Sequence, residues 1–161
     1  MSTVADWFGG RLPDAWFTRA PEVTVDREEI LVLGTLPETD EGGAAAARGR
    51  IARFREDTRA QRMRIADEAE ESFGRKVAWG ARCGEVEEVF TNLSIPVMTR
   101  LRQPERMVLD TLVEAGVARS RSEALAWCVR LVGANEKEWI DRLADALGAV
   151  REARNSGPNA S

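Results

Sequence analysis

The chain has 161 residues, 43% hydrophobic and 31% charged, with a net charge of −4; this suits one domain, or one small module joined to another, and supports a packed core. It contains no His and no Tyr, which excludes Ser-His-Asp and Cys-His catalysis and any His-bearing zinc site. Its two cysteines, Cys83 and Cys128, cannot form a four-Cys zinc site, and no run approaches the ~20 apolar residues that span a membrane.

The start, Met1 to Phe8, lacks a basic n-region and an apolar h-region, so no signal peptide is expected. With two unpatterned cysteines, this points to a reduced, cytoplasmic protein. Residues 1–20 carry Trp7, Phe8, Trp16 and Phe17 among Gly9, Gly10 and Pro13. They read as an aromatic-rich arm whose rings cover a core or a dimer seam; stacking on bases is the sharper alternative. The Trp-Phe-Gly-Gly stretch at 7–10 lacks the Gly-Lys-Ser/Thr ending of a phosphate loop.

Residues 21–91 predict a small α+β unit for oligomerisation or effector binding. Glu22 to Leu36 reads as two strands around a polar turn at Asp26–Glu29. Pro37–Gly43 is an acidic loop. Ala44–Phe73 predicts one long helix, with Ile51, Phe54, Thr58, Ile65, Ala69 and Phe73 at helical spacing and Gly74 as the C′ residue. Val77–Cys83 and Val86–Thr91 flank Gly84-Glu85 and predict a second hairpin. There Glu87 and Glu88 point to opposite faces and make no carboxylate pair.

The long helix places Arg48, Arg50, Arg53, Arg55, Arg59, Arg62 and Arg64 ahead of Asp67, Glu68, Glu70 and Glu71. That order opposes the helix dipole, which favours acids at the N-terminus. One reading is a solvated face with internal ion pairs. The other is a contact surface for an acidic protein or nucleic acid, with Arg48, Arg55, Arg59 and Arg62 as its candidates. Arginine itself is common here: of 23 basic residues only Lys76 and Lys137 are lysines.

The segment from Ser94 to Gly133 carries the most information. Ile95, Val97, Thr99 and Leu101 fall on one face of a predicted strand, and Met98, Arg100 and Arg102 on the other. Pro104 suits the first turn of a helix with a stripe of Val108, Leu109, Leu112 and Val113, which Gly116 stops. Ser120 and Glu123 have capping-box spacing at the start of a second helix. Leu125, Trp127, Cys128, Leu131 and Val132 form its buried side, and Gly133 is expected to close it.

This strand-helix-loop-helix order, with Leu-Arg-Gln-Pro at 101–104 and Arg-Ser-Arg-Ser-Glu-Ala at 119–124, resembles the ribbon-helix-helix family of the Arc and methionine repressors, over about residues 94–133. The resemblance implies a homodimer whose paired strands lie as an antiparallel ribbon in the DNA major groove. It implies that Met98, Arg100 and Arg102 face the bases, and that Ser120, Arg121 and Ser122 hold phosphate at the second helix's N-terminus. Thr99 stands where the family usually places an apolar residue, and Pro96 belongs at the ribbon's end. Residues 92–161 hold ten basic and nine acidic side chains, against thirteen and eighteen in 1–91.

After the 92–133 module, residues 134–154 predict a third helix capped by Asn135, with an apolar stripe of Trp139, Ile140, Leu143, Leu147 and Val150. Its expected role is packing across the dimer or onto the N-terminal unit. Residues 155–161 read as a disordered polar tail. The expected function is a homodimeric, DNA-binding transcriptional regulator, not an enzyme, with no cofactor, metal or membrane. The alternative is a non-catalytic dimeric adaptor that contacts a large assembly, such as RNA polymerase, a ribosome or a toxin, through 48–64.

Overall fold

The computed structural model describes residues 3–158. The end of the predicted tail (159–161) and the first two residues of the start read as carrying no signal peptide (1–2) lie outside the described residues. The chain is α+β and divides into two compact units, Met1–Pro96 and Val97–Ser161.

Unit 1 runs α1 (Thr3–Arg11), β1 (Glu22–Val25), β2 (Glu29–Thr35), α2 (Gly43–Asp57), α3 (Arg59–Phe73), β3 (Lys76–Cys83) and β4 (Val86–Val89). Its sheet has the order β1-β2-β3-β4. The two hairpins are antiparallel, and β2 pairs with β3 in parallel, with Val32 opposite Trp79 and Gly34 opposite Ala81. A parallel pair needs a crossover between its strands, and α2 with α3 supplies it. Asp26 makes the first turn by accepting the N–H groups of Glu28 (2.8 Å) and Glu29 (2.7 Å).

One sheet face carries Ile30 and Val32 of β2 beside Trp79, Ala81 and Cys83 of β3. Ile65 and Ala69 of α3 and Phe8 and Leu12 of the N-terminal stretch cover one part of it; Ala47 and Ile51 of α2 cover the other. The aromatic residues of 1–20 therefore belong to this core. Phe8 is fully buried and meets Trp79 edge-on at 6.0 Å, while Trp16 meets Phe54 at 5.5 Å and Trp79 at 6.2 Å. Edge-on geometry sets the positive ring edge against the negative face. Gly34 lets the rings close in, since a Cβ there would stand 2.0 Å from the Phe17 ring.

The single long helix predicted over 44–73 is two helices. They break at Thr58, whose φ and ψ are −102° and 0°. Its hydroxyl donates to the Phe54 carbonyl at 2.5 Å and accepts from Arg62 Nε at 2.9 Å. A threonine that bonds back to the i−4 carbonyl bends a helix, and helical periodicity alone does not register it. Gly74 ends α3 at φ +65°, as its position predicts.

Unit 2 contains α4 (Gln103–Glu114), α5 (Arg121–Asn135) and α6 (Lys137–Ser156). Its buried core is small: Leu109, Ala118 and Ala124, with Leu101, Leu112, Val113, Leu125 and Cys128 packed around them. Gly116 at φ +79° turns the chain after α4. Two predicted boundaries shift. Helix α5 runs through Gly133, so this glycine does not close it, and Asn135 is its last residue. The N-cap of α6 is Glu136, not Asn135. An isolated glycine costs a helix only about 1 kcal/mol, which leaves α5 free to continue. The predicted tail also starts late, because α6 extends to Ser156.

Candidate nucleic-acid interface

The predicted ribbon strand, 95–102, forms no strand within one chain. The face expected to be buried is open at Ile95, Val97 and Thr99, and only Leu101 packs against the unit 2 core. Val97 is 86% exposed and Met98 97%. A strand exists only as one side of a ladder, and a single chain offers this segment no second side. Arg100 and Arg102 are exposed on the same stretch.

Arg102 is also the N-cap of α4, and its backbone N–H donates to Glu105 at 2.7 Å. Arg106 anchors the approach by donating to the Leu101 carbonyl at 2.7 Å. Only the Glu105 half of a capping box is present here, since the Arg102 guanidinium cannot accept an N–H, and Pro104 remains the legible sign of this helix start.

At the start of α5, Ser120 Oγ accepts the N–H of Glu123 at 3.1 Å. Glu123 reaches back to the N–H of Arg119 at 2.7 Å, one residue before the N-cap. That hydrogen bond, followed by those of the Arg119 side chain, lowers the Glu123 pKa. Arg121 makes a two-pronged ion pair with Asp110 of α4, at 2.7 and 2.8 Å. The pair lowers the Asp110 pKa and raises that of Arg121. Of the three predicted phosphate ligands, Ser120 therefore caps its own helix and Arg121 ties α5 to α4, while Ser122 is exposed. Thr99, Leu101, Arg106, Arg121 and Ser122 line one shallow recess. Arg106 and the N-terminal turn of α5 thus border this recess, where a helix N-terminus favours an anion, while the Arg121 guanidinium is already paired with Asp110.

The arginines of α2 and α3 divide into two kinds. Arg62, predicted as a surface contact, is buried: its guanidinium holds Thr58 Oγ1 and the Arg55 carbonyl (2.6 Å) and lies 5.1 Å from the Phe90 ring centre. Burial, with Arg55 and Arg59 nearby, lowers its pKa. Arg62 therefore cannot present a contact face, because its fork is spent on the α2–α3 break. Arg48, Arg55 and Arg59 are exposed. Arg55 also sits over Phe90, 5.3 Å from its centre.

Among the described residues no ion pair involves any arginine between 48 and 64, so the internal pairing expected of that face does not form. Two of the four acids later in α3 are matched instead: Arg11 pairs with Glu68 at 2.6 Å, and Lys76 with Glu70 at 2.5 Å. Cys83 is buried, and its Sγ lies 3.5 Å from the Pro37 carbonyl oxygen. Both cysteines are free thiols.

A family model described as the N-terminal domain of Rv1265-like proteins matches residues 2–89. The chain belongs to the Rv1265 family. A second model, described as the Mb1296 C-terminal domain, matches residues 102–154. The uncharacterized proteins Rv1265 of Mycobacterium tuberculosis and Mb1296 of Mycobacterium bovis are each 56% identical to it over 161 residues, spanning 98% of this chain and 71% of theirs. No solved structure matches. The two family matches fall on either side of 90–101, the stretch that holds Met98 and Arg100.

Proposed function

We propose that this member of the Rv1265 family is a homodimeric ribbon-helix-helix regulator of transcription that binds double-stranded DNA in the cytoplasm and catalyses no reaction. One observation carries the reading. An exposed segment without strand pairing, with Ile95, Val97 and Leu101 alternating with Met98, Arg100 and Arg102, leads directly into a helix pair that buries only Leu109, Ala118 and Ala124. Two copies pairing these segments antiparallel satisfy the ladder and cover Ile95 and Val97. Met98, Arg100 and Arg102 then face outward, where arginine suits the O6 and N7 acceptors of guanine. The α5 start, with Ser120, Arg121, Ser122 and the neighbouring Arg106, approaches phosphate.

The deciding experiment measures binding to fragmented genomic DNA across a salt series. It compares the parent chain with Arg100→Ala/Arg102→Ala. The expected result is sequence-selective binding by the parent and loss of selectivity in the double variant. A salt slope of about −0.9 per phosphate contact accompanies it. DNA binding that is absent, or unchanged in the variant, refutes the reading.

A second reading draws on the unpaired arginines of α2 and α3. In it the protein is a dimeric adaptor that meets an acidic surface of a large assembly through Arg48, Arg55 and Arg59. Loss of partner binding on altering those three, with Arg100 and Arg102 immaterial, favours it over the regulator.

A further inference from the structure

Helix α6 buries none of its residues. Its Trp139, Ile140, Leu143, Leu147 and Val150 are 38–61% exposed. From Ile140 the spacing runs three, four, three to Val150, the seam of a coiled coil. The stripe adjoins a shallow apolar recess lined by Cys128, Val129, Val132, Gly133 and Ile140. A contiguous apolar surface of this kind marks an interaction site.

The charges on α6 identify what covers it. Residues 136–145 hold four acids, Glu136, Glu138, Asp141 and Asp145, and two bases. Residues 146–156 hold Arg151 and Arg154 with one acid, Glu152. The helix is thus acidic at one end and basic at the other, around a nearly symmetric stripe. A second copy running antiparallel matches both features. The register that sets Ile140 against the partner's Val150, and Leu143 against the partner's Leu147, brings Glu136 to the partner's Arg154. A parallel pairing instead sets Glu136 against its own copy and Arg154 likewise, which repels. Small residues at 144, 146 and 153 flank the seam and admit close approach of the two backbones.

We infer that α6 pairs antiparallel with α6 of a second copy of this chain, in an isologous contact separate from the ribbon at 95–102. The inference does not rest on DNA binding. It is tested in the full chain by sedimentation, with the ribbon disabled by Ile95→Asp/Val97→Asp. The chain is expected to remain a dimer in that background and to become a monomer when Leu143→Glu/Leu147→Glu is added. A monomer before the α6 substitutions, or a dimer that survives them, overturns the inference.

Charge exchange at exposed sites tests the register without endangering the fold. In the ribbon-disabled chain, Arg154→Glu should weaken dimerisation roughly two- to thirtyfold, the range for two exposed ion pairs per dimer. Adding Glu136→Arg should restore it. A combined variant no tighter than Arg154→Glu alone overturns the antiparallel register.

Discussion

Unit 1 closes a core within one chain, and unit 2 does not. In unit 1 a four-stranded sheet, three helices and linked aromatic rings bury Phe8, Ile30, Val32, Ile51 and Ile65 completely. In unit 2 only Leu109, Ala118 and Ala124 are buried, while Val97, Met98 and the α6 stripe stay open. The difference is one of supply. A sheet offers a broad apolar face on which α1, α2 and α3 converge, whereas three helices and an unpaired segment leave their own apolar residues uncovered. Unit 1 is therefore expected to be stable by itself. Unit 2 is expected to draw its stability from association.

The largest effect that tests this contrast is Phe8→Ala. It should cost about 3–5 kcal/mol of unit 1 stability, the usual cost of emptying a buried aromatic site. Denaturant unfolding followed by hydrogen exchange should register the loss in residues 3–90 and leave unit 2 protection in place. Next comes Gly34→Ala, whose Cβ would stand 2.0 Å from the Phe17 ring. It should cost about 1–3 kcal/mol in the same assay, as overpacking does.

Concentration offers the sharpest separation. Each tenfold dilution should lower the stability of a dimeric unit 2 by about 1.4 kcal/mol per dimer and leave unit 1 unchanged. Exchange protection in α4 to α6 that ignores concentration would break the comparison. Ser120→Ala should then cost about 1 kcal/mol, confined to unit 2, through loss of the α5 cap.

The smallest effect is that of acid. Arg11 lowers the Glu68 pKa and the N–H groups of Glu29 and Glu28 lower that of Asp26, in unit 1; Arg121 and the Arg119 N–H do the same for Asp110 and Glu123 in unit 2. A carboxylate with a folded pKa below its unfolded value of about 4 stabilises fully above that value. The contribution is lost as pH falls through the lowered folded value. Melting followed against pH should therefore show an acid limb in both units. Asp110→Asn with Glu123→Gln should flatten it in unit 2 alone.

Much of this arrangement was legible in order and spacing. The hairpin at 22–36, the hairpin at 77–91, the helix entered at Pro104 and the cap at Ser120 follow from alternation, turn residues and capping, which act within a few positions of one another. Residues such as Arg62 were not legible in this way. Its charge reads as surface although it stands four residues after Thr58 and three before Ile65, on the apolar stripe; it is buried because Thr58 and the Arg55 carbonyl take its N–H groups and Phe90, just past β4, lies beside the guanidinium. The role of Arg121 was likewise hidden, since its partner Asp110 lies on the preceding helix.

By itself the sequence determined the two hairpins, the helices entered at Pro104 and Ser120, and the apolar and charged residues each of these carries. These depend on residue type and local period. Only the tertiary structure decided that the aromatic start joins a core, that one arginine of the basic stretch is buried while Arg48 and Arg59 stay exposed and unpaired, and that unit 2 leaves its apolar stripes uncovered. Burial and ion pairing depend on what else reaches the same space, and no local pattern in the chain encodes that.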